Sequence, residues 1–248
     1  MMYAICMVPV AHIRVSPDHR SEMSSQLLFG EKIIVTDSDK KGWIKISCKA
    51  DGYEGWCQLA QFLEIDAVQY NHHDLVLTGD WVNEVTVNGQ AMFIPLGSLI
   101  DTKDQTIDYA GKTWNVSNAK KDALTIKDIA FRFLNTAYLW GGRSVYAIDC
   151  SGFAQAVYKF LNIPLLRDAK LQVTQGEQVY FLQEARCGDL AFFDDAAGEI
   201  IHVGILLNDH EIIHASGKVR VDKIDNSGIT NVDTGERTHQ LRIIKRYF

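Results

Sequence analysis

The 248-residue sequence predicts two small β-barrels followed by an α+β domain. Up to about residue 120, short runs of alternating apolar and polar side chains are separated by turns such as Asp51-Gly52 and Asn88-Gly89, which is typical of antiparallel strands. After residue 120 the apolar spacing changes to that of amphipathic helices, and later it changes back to that of strands. Helices followed by an antiparallel sheet define the α+β class.

The two barrels are predicted over residues 1–66 and 67–122. In the first, residues 43–48 read Trp-Ile-Lys-Ile-Ser-Cys, so apolar side chains alternate with polar ones, as in a half-buried strand. In the second, the Asn88-Gly89 pair lies between two apolar runs, and this dipeptide favours a two-residue hairpin turn. The two segments are similar in size and style, although they share no strict repeat.

The α+β domain is predicted over residues 123–248. Thr125 is followed three positions later by an acidic residue and can cap a first helix. Apolar residues then recur at the spacing of one helix face, at Ile126, Ile129, Ala130, Phe133 and Leu134. A second helix follows Cys150 and is stopped by Pro164. Beyond it, short apolar runs divided by Asp, Gly and Asn turns predict the strands of an antiparallel sheet.

Composition and charge restrict the class of function. The chain has 25 Lys and Arg against 31 Asp and Glu, a formal net charge of −6, and 47% hydrophobic residues, so a disordered protein is excluded. The mild acidity argues against non-specific binding of nucleic acid or of an anionic membrane. No apolar stretch approaches the roughly 20 residues that span a bilayer. The expected partners are therefore small molecules, with no nucleic acid and no membrane span.

The first ten residues and the cysteines bear on the cellular compartment. The first ten are apolar but lack the basic region of a secretory signal, so the expected localisation is cytoplasmic as written, or periplasmic if an export signal has been removed. The five cysteines are an odd number and include no C-x-x-C pair. This pattern fits neither a disulfide framework nor a zinc site.

Cys150 is a candidate nucleophile. It lies in the run Asp149-Cys150-Ser151-Gly152, immediately before the second helix. Free N–H groups and the partial positive charge at a helix N-terminus stabilise a thiolate, which is the form that a cysteine nucleophile requires. A small buried cysteine at a helix start is the alternative interpretation.

Two histidines favour the catalytic interpretation. His202 opens a predicted strand, and His214 lies on the next one. A hairpin turn between them places the two imidazoles on neighbouring strands, where one can accept the thiol proton and the other can hold its ring. For each histidine alone, a hydrogen-bonded core residue is the alternative.

These residues belong to five blocks that resemble the NlpC/P60 cysteine peptidases of bacterial cell-wall metabolism. The blocks are YLWGG (138–142), IDCSGF (148–153), GDL (188–190), HVGI (202–205) and IHAS (213–216), in the family's order. The resemblance implies a papain-like α+β fold, with Cys150 as nucleophile, His202 as general base and acid, and His214 as the orienting third member. It also implies that the phenol of Tyr138 and the backbone N–H of Cys150 stabilise the oxyanion.

The upstream barrels resemble the SH3-like domains that precede this catalytic domain in γ-D-glutamyl-L-diamino acid endopeptidases of murein peptide recycling. Such enzymes cut the γ-D-glutamyl–diamino acid bond of peptides with a free N-terminal L-Ala, and their first barrel covers the amino-terminal side of the active site. The resemblance implies that the α-ammonium of the substrate is held by Asp149, Ser151, Tyr53 and Glu22. Acceptor oxygens, at least one of them charged, suit an ammonium group.

Alternatives remain for these residues and for the function. Asp149 can be only a helix N-terminal carboxylate, Tyr53 a residue of the barrel surface, and Glu22 a solvated loop charge. The protein can also be a peptidase on intact peptidoglycan, with SH3-like domains as wall anchors, or a catalytically silent murein-binding protein. The expected reaction calls for no metal and no organic cofactor, and its partner is a murein-derived peptide, L-Ala-γ-D-Glu-diamino acid. The preference for lysine or meso-diaminopimelate and the oligomeric state stay open.

Overall fold

The computed structural model describes residues 2–73, 75–101, 104 and 106–248. The chain divides into two compact units. The first comprises Met1–Asn118 and Trp140–Tyr146, and the second comprises Ala119–Leu139 and Ala147–Phe248. Among the described residues, no helix combines the length and the apolar character that crossing a bilayer requires.

Short antiparallel strands make up most of the first unit. They are β1 (Met2–Cys6), β2 (Val10–Arg14), β3 (Met23–Leu28), β4 (Lys32–Ser38), β5 (Trp43–Cys48), β6 (Glu54–Gln58), β7 (Phe62–Ile65), β8 (Leu75–Thr78), β9 (Val82–Val87), β10 (Gln90–Pro95), β11 (Leu99–Asp101), β12 (Ile107–Asp108), β13 (Thr113–Trp114) and β14 (Arg143–Ser144). The unit also contains helix α1 (Ala67–Asn71) and single 3-10 turns at Leu59–Gln61 and Val116–Asn118.

Strands β1 to β7 form one antiparallel sheet in the order β3-β2-β6-β5-β4-β1-β7. On β5 the predicted alternation is confirmed, because Ile44 and Ile46 are buried while Lys45 between them is partly exposed. Successive side chains of a strand point to opposite faces, so one face of this sheet supplies a core. That core contains Ala4, Cys6, Ala11, Ile13, Leu27, Ile33, Ile44, Ile46, Cys48 and Cys57.

Strands β8 to β13 form two smaller sheets, in the orders β10-β9-β12 and β11-β8-β13, around a second core. The predicted hairpin turn joins β9 to β10, with Val87 opposite Gln90. Asn88 and Gly89 both have positive φ, of 50° and 79°, as a two-residue type I′ turn requires.

Residues 140–146 belong to the first unit because a buried ion pair holds them there. Arg143 donates from Nη1 to Glu31 Oε2 at 3.0 Å and to the carbonyl oxygen of Gln26 at 2.6 Å. Both charged side chains are at most 10% exposed, so each offsets the cost of burying the other. The predicted boundaries 1–66, 67–122 and 123–248 stay a prediction, since the division into two compact units is coarser.

The second unit combines helices with one large sheet. Its helices are α2 (Ala123–Phe131), α3 (Cys150–Phe160) and α4 (Ala169–Gln172), with a 3-10 turn at Leu182–Glu184. Its strands are β15 (Ala147–Ile148), β16 (Glu177–Val179), β17 (Leu190–Asp194), β18 (Ile200–Leu206), β19 (Glu211–Ser216), β20 (Lys218–Asp225), β21 (Gly228–Thr230) and β22 (Arg237–Arg246).

The start of α2 differs from the prediction. Asp122, not Thr125, caps the helix, since its carboxylate accepts a hydrogen bond from the Thr125 N–H at 2.8 Å. The helix is also shorter than the apolar pattern suggests, because it ends at Phe131 while Phe133 is buried beyond its end. Apolar spacing reports burial, which continues into the turn after the last helical residue.

The sheet of the second unit has the order β16-β22-β17-β18-β19-β20-β21, and β22 also pairs with β21. This extra pairing closes six of the strands into a ring, which leaves those strands without a free edge. Helix α3 packs against β18 and β19. The N-terminus of the helix that begins with Cys150 therefore lies against the two strands that carry the histidines.

Candidate active site

The nucleophile candidate begins α3. Asp149 is the N-cap: its backbone is extended, and its Oδ1 accepts a hydrogen bond from the Gly152 N–H at 2.7 Å. Cys150 is thus the first helical residue and is only 7% exposed. Burial, followed by the charge of Asp149, raises the pKa of Cys150 to about 12, against the lowering effect of the Val203 and Ser151 backbone N–H groups and of the neighbouring guanidinium. The raised pKa means that the thiol needs a base, and the predicted role of Cys150 as nucleophile stays a prediction.

A line of hydrogen-bonded groups crosses β18, β19 and β20. Gly204 lies opposite His214, and Ile212 lies opposite Asp222, so His202, His214 and Asp222 project from one face of the sheet. His202 Nε2 is 2.8 Å from His214 Nδ1, and His214 Nε2 is 3.0 Å from Asp222 Oδ2. All three side chains are buried. We call this set the His–His–Asp relay.

The charge on Asp222 fixes the proton positions along the relay. Burial alone would raise the pKa of Asp222, but hydrogen bonds from His214, the Val232 N–H and Arg220 lower it to about 2. The carboxylate must accept from His214 Nε2–H, so His214 Nδ1 accepts from His202 Nε2–H. His202 Nδ1 then carries the free lone pair of the relay.

Burial, together with the neighbouring rings of His214 and His239, lowers the pKa of His202 well below 6.5. The imidazole is therefore neutral near pH 7 and can accept a proton. A neutral thiol beside a neutral imidazole can react by general-base catalysis, in which proton transfer accompanies attack on the substrate.

Gly204 makes room for the second histidine. A Cβ added at this position would lie 2.9 Å from the Cβ of His214 and 2.6 Å from Cδ1 of Ile212. Real Cβ atoms do not approach other atoms this closely, so only glycine lets His214 lie flat across β18. The glycine in the motif HVGI is thus explained by the position of the orienting histidine.

Tyr138 approaches α3 through a backbone bridge to Ile148. Burial, and then the charges of Cys150 and Asp149, raise the pKa of Tyr138 to about 12. The phenol therefore stays protonated and can donate a hydrogen bond near the thiol. An oxyanion stabiliser needs this donor.

Asp149 and Ser151, the predicted ammonium ligands of the second unit, are both bonded to Arg167. Its guanidinium donates to Asp149 Oδ2 at 2.5 Å and to Ser151 Oγ at 2.7 Å. The Arg167 side chain is 2% exposed, so a buried cation neutralises the carboxylate beside the nucleophile. Asp149, the predicted anionic ligand of the substrate ammonium, is therefore paired with Arg167.

Glu22 and Tyr53, the other two predicted ligands, lie in the first unit. Glu22 is exposed, and its Oε1 accepts a hydrogen bond from Trp140 Nε1 at 2.7 Å. Tyr53 is partly buried against the core of the seven-stranded sheet. Their role toward a substrate stays a prediction.

Sequence reasoning missed Asp222, Arg167 and His239. Asp222 occupies the polar side of an alternating strand, which is the pattern of an exposed residue. Arg167 carries a weak signal, because it is a charge directly after the apolar run Ile163–Leu166, but Asp168 beside it suggests a solvated turn. His239 lies in a polar run, and the pairing of β22 with β17 and β21 brings it to the relay.

The three histidines His202, His214 and His239 offer nitrogen atoms within 4.8 Å of one another. Two of these rings are already joined by the relay hydrogen bond, and the rings of His202 and His239 are stacked with planes only 25° apart. Imidazole lone pairs lie in the ring plane, so nearly parallel rings do not converge on one ion. The arrangement fits proton transfer better than metal binding.

A buried thiol at a helix start beside a histidine relay defines a site suited to nucleophilic hydrolysis. Residues 135–238 match the NlpC/P60 family, and residues 13–62 match the bacterial dipeptidyl-peptidase Sh3 domain. The chain therefore contains an NlpC/P60 domain and a bacterial SH3 domain, as the resemblance of the sequence motifs predicts.

Two curated relatives are similar to this chain over most of their own length. A γ-D-glutamyl-L-lysine dipeptidyl-peptidase of Bacillus subtilis is 28% identical over 78% of this chain and 72% of its own. Dipeptidyl-peptidase 6 of Lysinibacillus sphaericus is 25% identical over 90% of this chain and 92% of its own. The crystal structure of an NlpC/P60 family protein from Bacillus cereus covers 99% of both chains with a TM-score of 0.80 at 18% identity, which supports the same fold.

Proposed function

We propose that the protein is a cysteine peptidase that hydrolyses the γ-D-glutamyl–diamino acid bond of murein peptides with a free N-terminal L-Ala. The observation that carries the proposal is the His–His–Asp relay, two of whose strands pack against α3, the helix that begins with Cys150. The names of the relatives, γ-D-glutamyl-L-lysine dipeptidyl-peptidase and dipeptidyl-peptidase 6, support the bond type. A cytoplasmic location stays a prediction from the sequence.

The proposed reaction has two steps. The thiol of Cys150 attacks the side-chain carbonyl of γ-D-Glu and passes its proton to His202 Nδ1, while Tyr138 O–H and the Cys150 N–H stabilise the oxyanion. The imidazolium of His202 then protonates the departing amine of the diamino acid. Water, deprotonated by His202, hydrolyses the thioester and releases L-Ala-D-Glu. Through His214, Asp222 stabilises each imidazolium.

The proposal also names the residues that bind the α-ammonium of the substrate. We retain Asp149, Ser151, Tyr53 and Glu22 as its ligands, because hydroxyl and carboxylate oxygens accept from an ammonium group. Asp149 would then serve two partners, Arg167 and the substrate ammonium. Because Arg167 already balances its charge, the carboxylate would mainly orient the ammonium.

The test is cleavage of L-Ala-γ-D-Glu-L-Lys and of its meso-diaminopimelate counterpart, followed by mass spectrometry. Wild type should release L-Ala-D-Glu, and Cys150→Ala should be inactive while its circular dichroism is unchanged, because the nucleophile is lost but the helix cap is not. The same peptides acylated at the amino end should be spared. Activity of Cys150→Ala would refute the assignment.

Two other outcomes would replace the proposal. Equal cleavage of free and acylated peptides would keep the peptidase but favour intact peptidoglycan as substrate, with SH3-like domains as wall anchors. No cleavage of any peptide would favour a murein-binding protein without catalytic activity.

A further inference from the structure

His239 lies on β22, outside the segment 135–238 that matches the NlpC/P60 family. Its imidazole lies face to face with that of His202, with ring centroids 4.1 Å apart and planes inclined by 25°. The ring of His214 is 5.8 Å away and nearly perpendicular. Because hydrogen bonds of an imidazole lie in its plane, His239 occupies a face of His202 that the relay leaves free.

The backbone of β22 fixes the position of this ring. His239 lies opposite Ile229 of β21, next to a register shift between Ile229 and Thr230. Such irregularities redirect side chains near functional sites. Gly228, with φ of 131°, approaches so closely that a Cβ there would lie 1.8 Å from the His239 carbonyl oxygen. The strand pairing thus determines where His239 points.

Aromatic rings surround the catalytic histidine on this side. Phe193 is 5.7 Å from His202 and 5.8 Å from His239, measured between ring centroids. His239 also lines an open groove together with neighbouring residues of β22 and of the β20–β21 turn, namely Asn226, Ser227, Arg237, Thr238, Gln240 and Leu241. His239 therefore both lines this groove and stacks on the face of His202.

The ionisable groups that face His239 are His202 on β18, His214 on β19 and Asp222 on β20. Burial, and then His214, lower the pKa of His239 to about 4, while Asp222 acts in the opposite direction. The ring is therefore uncharged near pH 7.

We propose that His239 is a positioning residue for the catalytic base. Stacked on His202, it holds that imidazole in the plane required by the hydrogen bond to His214. The inference rests on the proposed function in one respect, namely that His202 is the base. The proton moves from Sγ to Nδ1 and later to the leaving amine, so His239 itself neither gains nor loses a proton.

The test compares His239→Ala with His239→Phe, which keeps an aromatic face and removes both nitrogens. In hydrolysis of L-Ala-γ-D-Glu-L-Lys, His239→Ala should lower kcat about tenfold with KM almost unchanged, and His239→Phe should recover most of the loss. Gln240→Ala is the matched control, because Gln240 is exposed on the same strand and groove, and its kcat should equal that of wild type. Wild-type kcat in His239→Ala, or a His239→Phe variant as slow as His239→Ala, would overturn the inference.

A second measurement needs no substrate and separates this inference from the proposed function. The rate at which iodoacetamide alkylates Cys150, followed on its peptide by mass spectrometry, depends on the basicity and orientation of His202. Slower alkylation in His239→Ala than in wild type and His239→Phe would support the positioning role even if no murein peptide is cleaved. Equal rates in all three proteins would refute it.

Discussion

The charge of Asp222 decides which nitrogen of His202 is available as a base. Arg220 Nε lies 2.8 Å from Asp222 Oδ2, and the Val232 N–H donates to Asp222 Oδ1 at 2.9 Å. These two contacts keep the buried carboxylate ionised. This anion selects one tautomer of His214, which in turn selects one tautomer of His202. The buried charge of Asp222 therefore determines, through His214, which nitrogen of His202 can accept a proton.

Replacing Asp222 with Asn should preserve the shape of the relay and disturb its tautomers. The amide can donate to His214 Nε2, which would place the His214 proton on Nδ1 and the His202 lone pair on the wrong nitrogen. We expect kcat to fall about 10²-fold, less than the roughly 10⁴-fold loss known for a carboxylate bonded directly to a catalytic base. Steady-state kinetics on the tripeptide measure this loss.

Asp225→Asn is the matched control for Asp222→Asn. Asp225 lies on the same strand, and its ion pair with Arg237 is exposed, with 56% and 43% of the two side chains accessible. This variant should keep the kcat of wild type, because exposed ion pairs contribute little. A comparable loss in both variants would indicate damage to β20 and not to the relay.

At the scale of the element, the start of α3 carries a buried ion pair. Asp149 caps the helix and bonds Arg167, and both side chains are at most 7% exposed. A buried ion pair is destabilising to form but more destabilising to break, because the remaining charge has no partner. The position of Cys150, the proposed nucleophile, thus depends on an intact Asp149–Arg167 pair.

Arg167→Met should therefore lower the free energy of unfolding by about 3–5 kcal/mol, measured by urea denaturation. Arg237→Met removes the exposed partner of Asp225 and should cost about 0–1 kcal/mol in the same measurement. Equal stability of Arg167→Met and wild type would contradict a stabilising role for the Asp149–Arg167 pair.

At the scale of the whole molecule, the buried relay makes stability depend on pH. The pKa values of His202 and His239 are lowered, the latter to about 4, and the pKa of Asp222 is lowered to about 2. In the unfolded chain the histidines titrate near 6.5, so below that pH the unfolded state binds more protons than the folded state. The contribution of these groups to the free energy of unfolding is therefore complete above pH 6.5, and it is lost as the pH falls below that value.

The urea midpoint should therefore decrease from pH 7 to pH 5. His239→Phe removes one of the titrating groups and should show a shallower decrease over the same interval. A midpoint that is constant or increases on acidification would contradict the lowered histidine pKa values. The urea midpoint at pH 7, 6 and 5, followed by tryptophan fluorescence, checks the trend.

Much of the organisation could be predicted because it depends on local patterns. Alternation in residues 43–48 and the Asn88-Gly89 pair predicted a strand and a type I′ turn, and both are confirmed. A helix after Cys150 is also predicted, because its apolar face is encoded within a few residues, and the structure starts it at Cys150 itself with Asp149 as the cap. The cap of α2 was assigned to Thr125 and not to Asp122, since either residue satisfies a local capping rule.

The sequence by itself determined the succession of barrel strands, helices and sheet. It also identified Cys150, His202 and His214 as one set of candidate catalytic residues. Only the tertiary structure decided that Asp222 and His239 join this set, and that Arg167 neutralises Asp149. The physical reason is that local periodicity specifies which face a side chain occupies, whereas strand pairing across the closed sheet specifies which other side chain it meets. Charges and rings distant in sequence therefore act together only once β20, β21 and β22 are in register.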